Sequence, residues 1–464
     1  MGVFSGTGPA RWPDYRAVWR WHFYAGLFCI PFVMVLSLSG AVYLFKAELE
    51  AWSERAYDQL EINGPAAPVG AQIGAALNAV PEARLEGYEL PQSAQAAARV
   101  LVRQGGETVR VYVHPQSLAV LGSVAEAGRL MKTVFRLHGE LLLGKRGSML
   151  VELAASWAIV LILTGLVLWW PRHSRGAAGV LYPRLGGGGR IFWRDMHAVT
   201  GVWISLLALG LLISGLPWAS FWGEYFKSVR RFTGTAAARQ EWPTDGGRSE
   251  AAAAGDGQAG HAGHGGSAAG GRSKQTPPWS PEQGAAAEVV AAAVRGLRLD
   301  PPVVIAPAAR ADMHGPHRWT AKSLTANRPR RENLVVDGHS GAILSREGFA
   351  DKHLIDQIVA VGIAAHEGRL FGWPNQLLGL LTALGLLLLS VSGVVLWWRR
   401  REPGLLGAPP PGVPRRRSWP LVAAVAGLGI LLPLFGLSLV AVLAADFLLL
   451  RRIPAARRWL GLAV

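Results

Sequence analysis

The segment Trp19-Arg20-Trp21-His22 opens the first long apolar stretch of the chain, and it recurs as Trp193-Arg194-Asp195-Met196-His197. A glycine and a Ser-Gly pair follow the two histidines at the same distances. These positions are Gly26 and Ser39-Gly40 after His22, and Gly201 and Ser214-Gly215 after His197. Self-similarity over this length is typical of a duplicated architecture, in which each copy supplies one structural unit.

A second pair of segments repeats later in the chain without a gap. The first copy has His138, Gly144, Thr164-Gly165 and Leu168-Trp169-Trp170, and the second has His366, Gly372, Ser392-Gly393 and Leu396-Trp397-Trp398. Each repeat is therefore predicted to be a membrane span, an outer domain and a second span. Two such parallel copies are related by a pseudo-two-fold axis along the membrane normal, which keeps equivalent residues at one depth.

The composition indicates a membrane protein. Of the 464 residues, 50% are hydrophobic and only 17% are charged, and the apolar residues form runs long enough to cross a bilayer. The net charge of +16 would also suit a protein that binds nucleic acid, but the arginines concentrate where the apolar runs end. We therefore expect contact with membrane lipid and no nucleic acid.

The short loops that carry most of the arginines are predicted to be cytoplasmic, together with the N-terminus, in a multi-pass protein of a bacterial inner membrane. The predicted order is a cytoplasmic N-terminus (1–17), TM1 (18–45), outer domain 1 (46–146), TM2 (147–171), a cytoplasmic loop (172–190), TM3 (191–222), outer domain 2 (223–374, with a flexible insertion at 233–273), TM4 (375–398), a cytoplasmic loop (399–418), a fifth apolar segment (419–450) and a tail (451–464). The fifth segment favours one tilted helix, whereas Arg451 and Arg452 favour a tight hairpin near Pro433 and a cytoplasmic tail.

The two outer segments are predicted to be α+β domains. In the first, strands at 100–103 and 108–113 pair across the turn 104–107, and 116–122 continues the sheet. The second has a similar strand-turn-strand pattern at 333–345, preceded by an Ala-rich helix at 284–296. The expected fold is thus a membrane all-α helical bundle, internally duplicated, with four core spans, a C-terminal hydrophobic segment and two α+β extracytoplasmic domains.

The four repeated histidines are candidate iron ligands. A neutral imidazole nitrogen is a good axial ligand for haem iron, and two facing imidazoles give a six-coordinate electron-transfer site. The two-fold axis pairs His22 with His197 for an inner haem, and His138 with His366 for an outer haem. Cys29 is the single cysteine and no Cys-x-x-Cys-His motif exists, so these haems would be held non-covalently. The alternative is that duplication has preserved four structural histidines.

Basic residues near these histidines would suit the carboxylate tails of haem. They are Arg20, Arg190 and Arg194 at the inner level, and Lys145, Arg146 and Arg369 at the outer level. Positive side chains also extend to the interface from the ends of membrane helices without any ligand, which is the simpler explanation. The Trp-Trp pairs that end two spans are typical of an interfacial aromatic belt.

Other polar residues in unusual positions have less specific explanations. The carboxylates Glu152 and Asp446 lie within apolar runs, where ionisable groups are costly and often functional, unless each lies near a membrane boundary. Histidines of the second outer segment could bind copper or iron weakly, but a solvated loop is the favoured interpretation. They are His261, His264, His314 and His317. No nucleophile or acid–base pair stands out, so no catalytic side chain is predicted.

From residue 19 to 461 the sequence resembles the PepSY-associated transmembrane helix family. The resemblance is most specific at 193–201 (WRDMHAVTG) and 366–372 (HEGRLFG). It implies PepSY-like outer domains, bound haem b, and similarity to inner-membrane ferric-siderophore reductases. Some members carry a fused flavoprotein reductase domain. Because nothing in this sequence resembles a nucleotide or flavin fold, the electron donor is expected to be a separate cytoplasmic flavoprotein reductase or quinol.

The function expected on these grounds is that of an oxidoreductase, a ferric-chelate reductase with about two haems b per chain. Its substrate would be a ferric siderophore or other iron chelate on the periplasmic side. Two alternatives from other classes stay open. A non-redox siderophore-uptake or permease component would lack haem absorbance, and a PepSY-type regulatory membrane protein would bind a peptidase with the four histidines dispensable.

Overall fold

The computed structural model describes residues 14–171, 176–235, 279–308, 317–410 and 418–461. These residues form two compact units. The described parts of 1–44, 137–230 and 377–464 make a helical unit, and the described parts of 45–136 and 231–376 make a unit built on a β-sheet. Most of the predicted flexible insertion, together with His261, His264 and His314, lies outside the described residues.

The helices lie mostly at or near the positions that the apolar runs predict. They are α1 (Tyr15–Tyr43), α2 (Lys46–Asp58), α3 (Val69–Ala79), α4 (Leu130–Glu140), α5 (Gly144–Trp169), α6 (Gly188–Gly215), α7 (Ser220–Phe232), α8 (Pro281–Arg295), α9 (Leu354–His366), α10 (Trp373–Arg400), α11 (Trp419–Leu431), α12 (Pro433–Leu448) and α13 (Pro454–Leu460). Five of the described helices are long and apolar enough to cross a membrane: α1, α5, α6, α10 and α12, of which α6 and α12 are extended by short turns. The membrane class and the mostly helical fold are confirmed.

The first span begins with a side-chain cap and packs closely against the second. Asp14 accepts a hydrogen bond from the backbone N–H of Ala17 at 2.8 Å, which satisfies one of the amides that a helix start leaves without a partner. Further along α1, the buried Cys29 lies with its Sγ 3.7 Å from the carbonyl of Ala154 on α5. Small residues at this contact allow the two helix backbones to approach.

The last apolar segment consists of two helices. It breaks at Leu432, which is extended between α11 and α12, and Pro433 has no N–H to continue the α11 hydrogen bonds. The break lies near the start of α7, because Trp222 Nε1 donates to Leu431 O at 2.9 Å. The chain then returns to the start of α1, where Tyr24 donates to Leu460 O at 2.6 Å. The segment that the sequence favoured as one tilted helix is therefore two helices, α11 and α12, and the number of times it crosses the membrane stays a prediction.

The second unit contains one eight-stranded antiparallel sheet. Its strands are β1 (Arg84–Glu89), β2 (Ala98–Gln104), β3 (Glu107–Val113), β4 (Val120–Ala125), β5 (Val303–Pro307), β6 (Arg318–Ser323), β7 (Asn333–Asp337) and β8 (Ile343–Glu347). The order across the sheet is β4-β3-β2-β1-β5-β6-β7-β8. The predicted strand pairs β2–β3 and β7–β8 are present, with Gly105 and Gly106 at positive φ in the first turn.

The two outer segments therefore share one sheet, whereas the sequence predicted two separate domains. The strands β1 and β5 join them, with Tyr88 opposite Ile305 and Glu89 opposite Val304. Each of these strands would otherwise be the edge of a four-stranded sheet, with unpaired backbone groups. Their pairing satisfies those groups and removes two exposed edges.

Helices α3 and α8 cover one face of the sheet and enclose the core of this unit. Ile73 and Val290 from the two helices pack on buried strand residues such as Tyr88, all of them fully buried. The helices cross where Gly70 meets Gly284, since a Cβ built on Gly70 would lie 2.5 Å from the Cα of Gly284. Only glycine allows this approach, and it brings both apolar helix faces onto the sheet.

Charged residues occupy the opposite face of the sheet, next to α2. Arg99 on β2 binds Glu54 and Asp58 of α2 at 3.2 and 2.7 Å. Arg110 on β3 binds Glu89 at 2.7 Å, and both side chains are largely buried. Because buried charges are costly unless they are paired, this network ties α2 to the sheet.

Candidate functional site

The helical unit brings two of the predicted ligands together. His22 on α1 and His197 on α6 are both partly buried, and their imidazole ring centres lie 6.3 Å apart with the ring planes at 90°. These residues are far apart in the sequence and belong to the two copies of the repeated segment. Their approach is the pairing that the repeat predicts for the inner site.

The separation of the two rings matches the space that one metal ion needs between two imidazoles. A metal–imidazole bond is about 2 Å long, and a ring nitrogen lies about 1.2 Å from the ring centre, so opposite ligands on one metal have ring centres ~6 Å apart. Among the described residues, no group of three or more His, Cys, Asp or Glu side chains could hold a bare ion. The pair thus suits a metal whose remaining ligands come from a cofactor, as in haem.

The Nδ1 atom of His22 is held by α5. It lies 3.1 Å from Thr164 Oγ1, whose own hydrogen is donated to Val160 O at 2.8 Å. The hydroxyl oxygen can therefore only accept from the imidazole, so Nδ1 carries the hydrogen and donates it. The Nε2 atom is then without a proton and presents the lone pair that a metal ligand requires.

His197 has similar surroundings on α10. Its Nδ1 lies 3.1 Å from Leu389 O and 3.0 Å from Ser392 Oγ. The carbonyl can only accept, so Nδ1 is again the donor. Both histidines of the pair are therefore in the tautomer that leaves Nε2 available, and each is oriented by a neighbouring helix.

A glycine follows both Thr164 and Ser392 in the sequence, and because it has no side chain it leaves space for the facing imidazole. A Cβ built on Gly165 would lie 3.1 Å from His22 Cε1, and a Cβ built on Gly393 would lie 3.6 Å from His197 Cε1. In the structure, the space beside these two glycines is filled by the histidine rings.

His138, at the end of α4, repeats this arrangement against α1. Its Nδ1 lies 3.1 Å from Leu36 O and 3.1 Å from Ser39 Oγ, and a Cβ built on Gly40 would lie 3.0 Å from its Cε1. Removal from water lowers the pKa of His138, against the opposing effect of the Leu36 hydrogen bond. The ring is thus neutral at neutral pH and has an unprotonated Nε2, as a ligand needs.

His366 is the last residue of α9 and is partly buried. Its pairing with His138 stays a prediction from the sequence repeat.

A family model of the PepSY-associated TM region matches residues 19–400, which include all four repeated histidines. The chain belongs to this family. No curated protein matches it in a sequence search.

Three of the basic residues predicted to contact haem have protein partners in this PepSY-associated chain. Arg20 is buried and donates to the carbonyls of Pro409 and Gly461 at 2.6 and 3.0 Å, so it fixes the C-terminal tail. Arg369 forms a two-pronged contact with Glu48 at 2.9 and 3.1 Å. The hydrogen bonds from Arg369 lower the pKa of Glu48 to about 2, which keeps the pair charged at neutral pH.

The third engaged arginine belongs to a buried carboxylate site that the sequence analysis missed. Asp195 is fully buried and binds Arg194 at 2.7 Å and Arg184 at 2.7 Å. This site fixes the loop before α6 against the helix start. The sequence could have revealed this site, because Asp195 is a carboxylate at the beginning of an apolar run, two residues before His197.

The other predicted basic residues are exposed. Lys145 and Arg146 lie in the first turn of α5. Arg190 lies near the start of α6, where it lines a shallow pocket together with Arg194 and neighbouring glycines. Of the six basic residues, these three face solvent and form no ion pair with a carboxylate among the residues that the structure describes.

The carboxylates within apolar runs have structural partners. Glu152 is buried, and its Oε2 accepts hydrogen bonds from the backbone N–H groups of Phe221 and Trp222, each at 3.1 Å. It therefore caps the start of α7 from a neighbouring span. Asp446 binds Arg451 at 2.8 Å near the end of α12. Neither carboxylate contacts the histidine pair.

Proposed function

We propose that this PepSY-associated TM protein is a haem-b electron-transfer protein of the bacterial inner membrane. It would reduce a ferric siderophore or other ferric chelate on the periplasmic side with electrons from the cytoplasm. The observation that carries the proposal is the His22–His197 pair, whose rings lie 6.3 Å apart and whose Nδ1 atoms each face a hydroxyl acceptor. That combination leaves the Nε2 lone pair of each histidine available, so His22 and His197 would hold the iron of one haem.

Haem, when bound, supplies a reversible one-electron couple between ferric and ferrous iron. The protein side chains supply the surroundings. His22 and His197 would hold the iron through their Nε2 atoms, and a haem held by two histidines would favour electron transfer over oxygen chemistry. Thr164 and Ser392 hold the two rings in place. No acid, base or nucleophile is required, in agreement with the absence of a predicted catalytic side chain.

The outer haem belongs to the same proposal. His138 has the same three neighbours as His197, namely a carbonyl, a hydroxyl and a glycine. The sequence repeat supplies His366 as its partner and places the two pairs at opposite membrane boundaries. With a bilayer core of ~30 Å, one haem near each boundary would divide a distance that is too long for a single transfer. The equivalent surroundings of three histidines also support a duplicated origin for the two halves.

The donor is proposed to be a separate cytoplasmic flavoprotein reductase or a membrane quinol. The arginine-rich short loops support a cytoplasmic N-terminus, because positive residues are retained on that side of the membrane. A donor for the inner site would then approach from the cytoplasm, and the iron chelate would approach the unit that contains the β-sheet.

Sealed inverted vesicles, whose cytoplasmic face points outward, test this function. A ferric hydroxamate siderophore and a chromogenic chelator specific for ferrous iron are trapped inside, and chemically reduced flavin is added outside. We expect wild-type vesicles to develop the ferrous colour, and His22→Ala or His138→Ala vesicles to fall to the rate of vesicles without the protein. The variant His339→Ala, which changes an exposed histidine, serves as the matched control. Equal rates for wild type and His22→Ala would contradict the proposal. The permease and regulatory alternatives both predict that result.

A further inference from the structure

We infer that the hydroxyl groups of Thr164 and Ser392 are positioning residues that set how strongly His22 and His197 donate to a bound iron. The inference rests on the proposed function. It extends that function from the ligands themselves to the groups behind them, which would adjust the reduction potential of the site.

The hydrogen of each hydroxyl is already used within its own helix. Thr164 Oγ1 donates to Val160 O at 2.8 Å, and Ser392 Oγ donates to Leu388 O at 2.7 Å. A hydroxyl has one hydrogen and two lone pairs. Its oxygen can therefore interact with the facing imidazole only as an acceptor, and the Nδ1–H group must be the donor.

At His197, the carbonyl three residues before Ser392 adds a second acceptor at the same point. For His197, Nδ1 lies 3.1 Å from Leu389 O and 3.0 Å from the Ser392 hydroxyl. For His22, the acceptor is the Thr164 hydroxyl, 3.1 Å from Nδ1. Each acceptor on the N–H draws its proton away from the ring, which makes Nε2 a stronger donor. A stronger donor stabilises ferric over ferrous iron and lowers the reduction potential.

A merely structural role does not account for this arrangement. Other serines in the spanning helices use their hydroxyl only for a hydrogen bond within the helix. For example, Ser205 on α6 and Ser390 on α10 donate to the carbonyl four residues earlier at 2.6 and 2.9 Å. Neither has a hydrogen bond to a histidine. By contrast, Ser39 on α1 donates its hydroxyl hydrogen to Val35 O at 2.7 Å, and its oxygen also faces Nδ1 of His138. Three histidines on three helix pairs thus have an equivalent hydroxyl neighbour.

The test is a redox titration of the purified full-length protein, with the haem content measured on the same samples. The variants Thr164→Val and Ser392→Ala remove the hydroxyl and keep most of the side-chain volume. We expect each to move the inner-haem midpoint potential to a more positive value and to weaken haem binding about tenfold. Thr164→Ser should restore both values, and Ser390→Ala should match the wild type.

The outcomes separate this inference from the proposed function. A haem-loaded wild type whose potential and haem affinity are unchanged in Thr164→Val and Ser392→Ala would overturn the positioning role and leave the proposed function standing. A folded wild type without haem would overturn both. Because Thr164 and Ser392 lie on different helices, either variant decides the question if the other does not fold.

Discussion

Gly165 and Gly393 hold equivalent positions in two helices, but they leave different amounts of room for the histidine that each one faces. A Cβ on Gly165 would lie 3.1 Å from His22 Cε1, closer than a ring normally allows, whereas a Cβ on Gly393 would make an ordinary contact of 3.6 Å with His197. We therefore expect Gly165→Ala to displace His22 and reduce haem binding about tenfold. Gly393→Ala should bind haem almost as well as the wild type.

Haem titration of the two purified alanine variants measures this difference. Both substitutions add the same methyl group to a membrane helix, so each controls for the effect of the change on the helix itself. Equal haem affinity for both variants would show that the space beside Gly165 does not position His22.

At the residue scale, the sequence predicted which histidines matter but not what holds them. The pairing of His22 with His197 could be predicted because a duplicated chain places equivalent residues at one depth. The Nδ1 partners could not, because they depend on how α1 rotates against α5 and α6 against α10. Arg20 was a candidate contact for a haem carboxylate, with an interfacial position as the simpler alternative, and in the structure it donates to Pro409 O and Gly461 O.

At the scale of elements, the packing of α11 against α12 depends on a close backbone contact. A Cβ on Gly436 would lie 2.8 Å from Gly429 O, which is backbone and cannot rotate away. Gly436→Ala should therefore push the two helices apart and lower the free energy of unfolding by about 1–3 kcal/mol. Gly427, beside which a Cβ would meet nothing within 4 Å, gives the matched control Gly427→Ala.

Thermal unfolding of the detergent-purified variants, followed by the fluorescence of the tryptophans, measures the effect of Gly436→Ala. An apparent melting temperature equal to that of Gly427→Ala would contradict the contact between α11 and α12.

The elements that the sequence predicted best are those with a strong local pattern. Long apolar runs located the spans, and the Gly105-Gly106 turn located the β2–β3 pair. Strands β1 and β5 were missed because β1 contains Gly87 and charged residues, and because β5 is short and ends in a proline. Their pairing joins segments more than 200 residues apart in sequence, as Tyr88 and Ile305 show, and no local pattern encodes such a contact.

At the scale of the whole molecule, the two units have different roles in the proposed function. The helical unit holds the partly buried His22–His197 pair between apolar helices. The other unit combines both outer segments in one sheet. The sequence predicted the membrane class and the helical unit because hydropathy alone fixes which segments can enter a bilayer. It could not predict that the outer segments join, because that depends on which sheet edges meet.

The measurement that tests the central claim most directly is the low-temperature electron paramagnetic resonance spectrum of the oxidised, purified protein, together with its haem content. The account predicts about two haems per chain, all low-spin. The planes of the His22 and His197 rings lie at 90°. Perpendicular imidazole ligands leave two iron d orbitals nearly equal in energy. The inner haem should therefore show a strongly anisotropic low-spin signal with a large maximum g value. That signal should disappear in His197→Ala. A folded wild-type protein that stays free of haem after expression with ample haem would contradict the account.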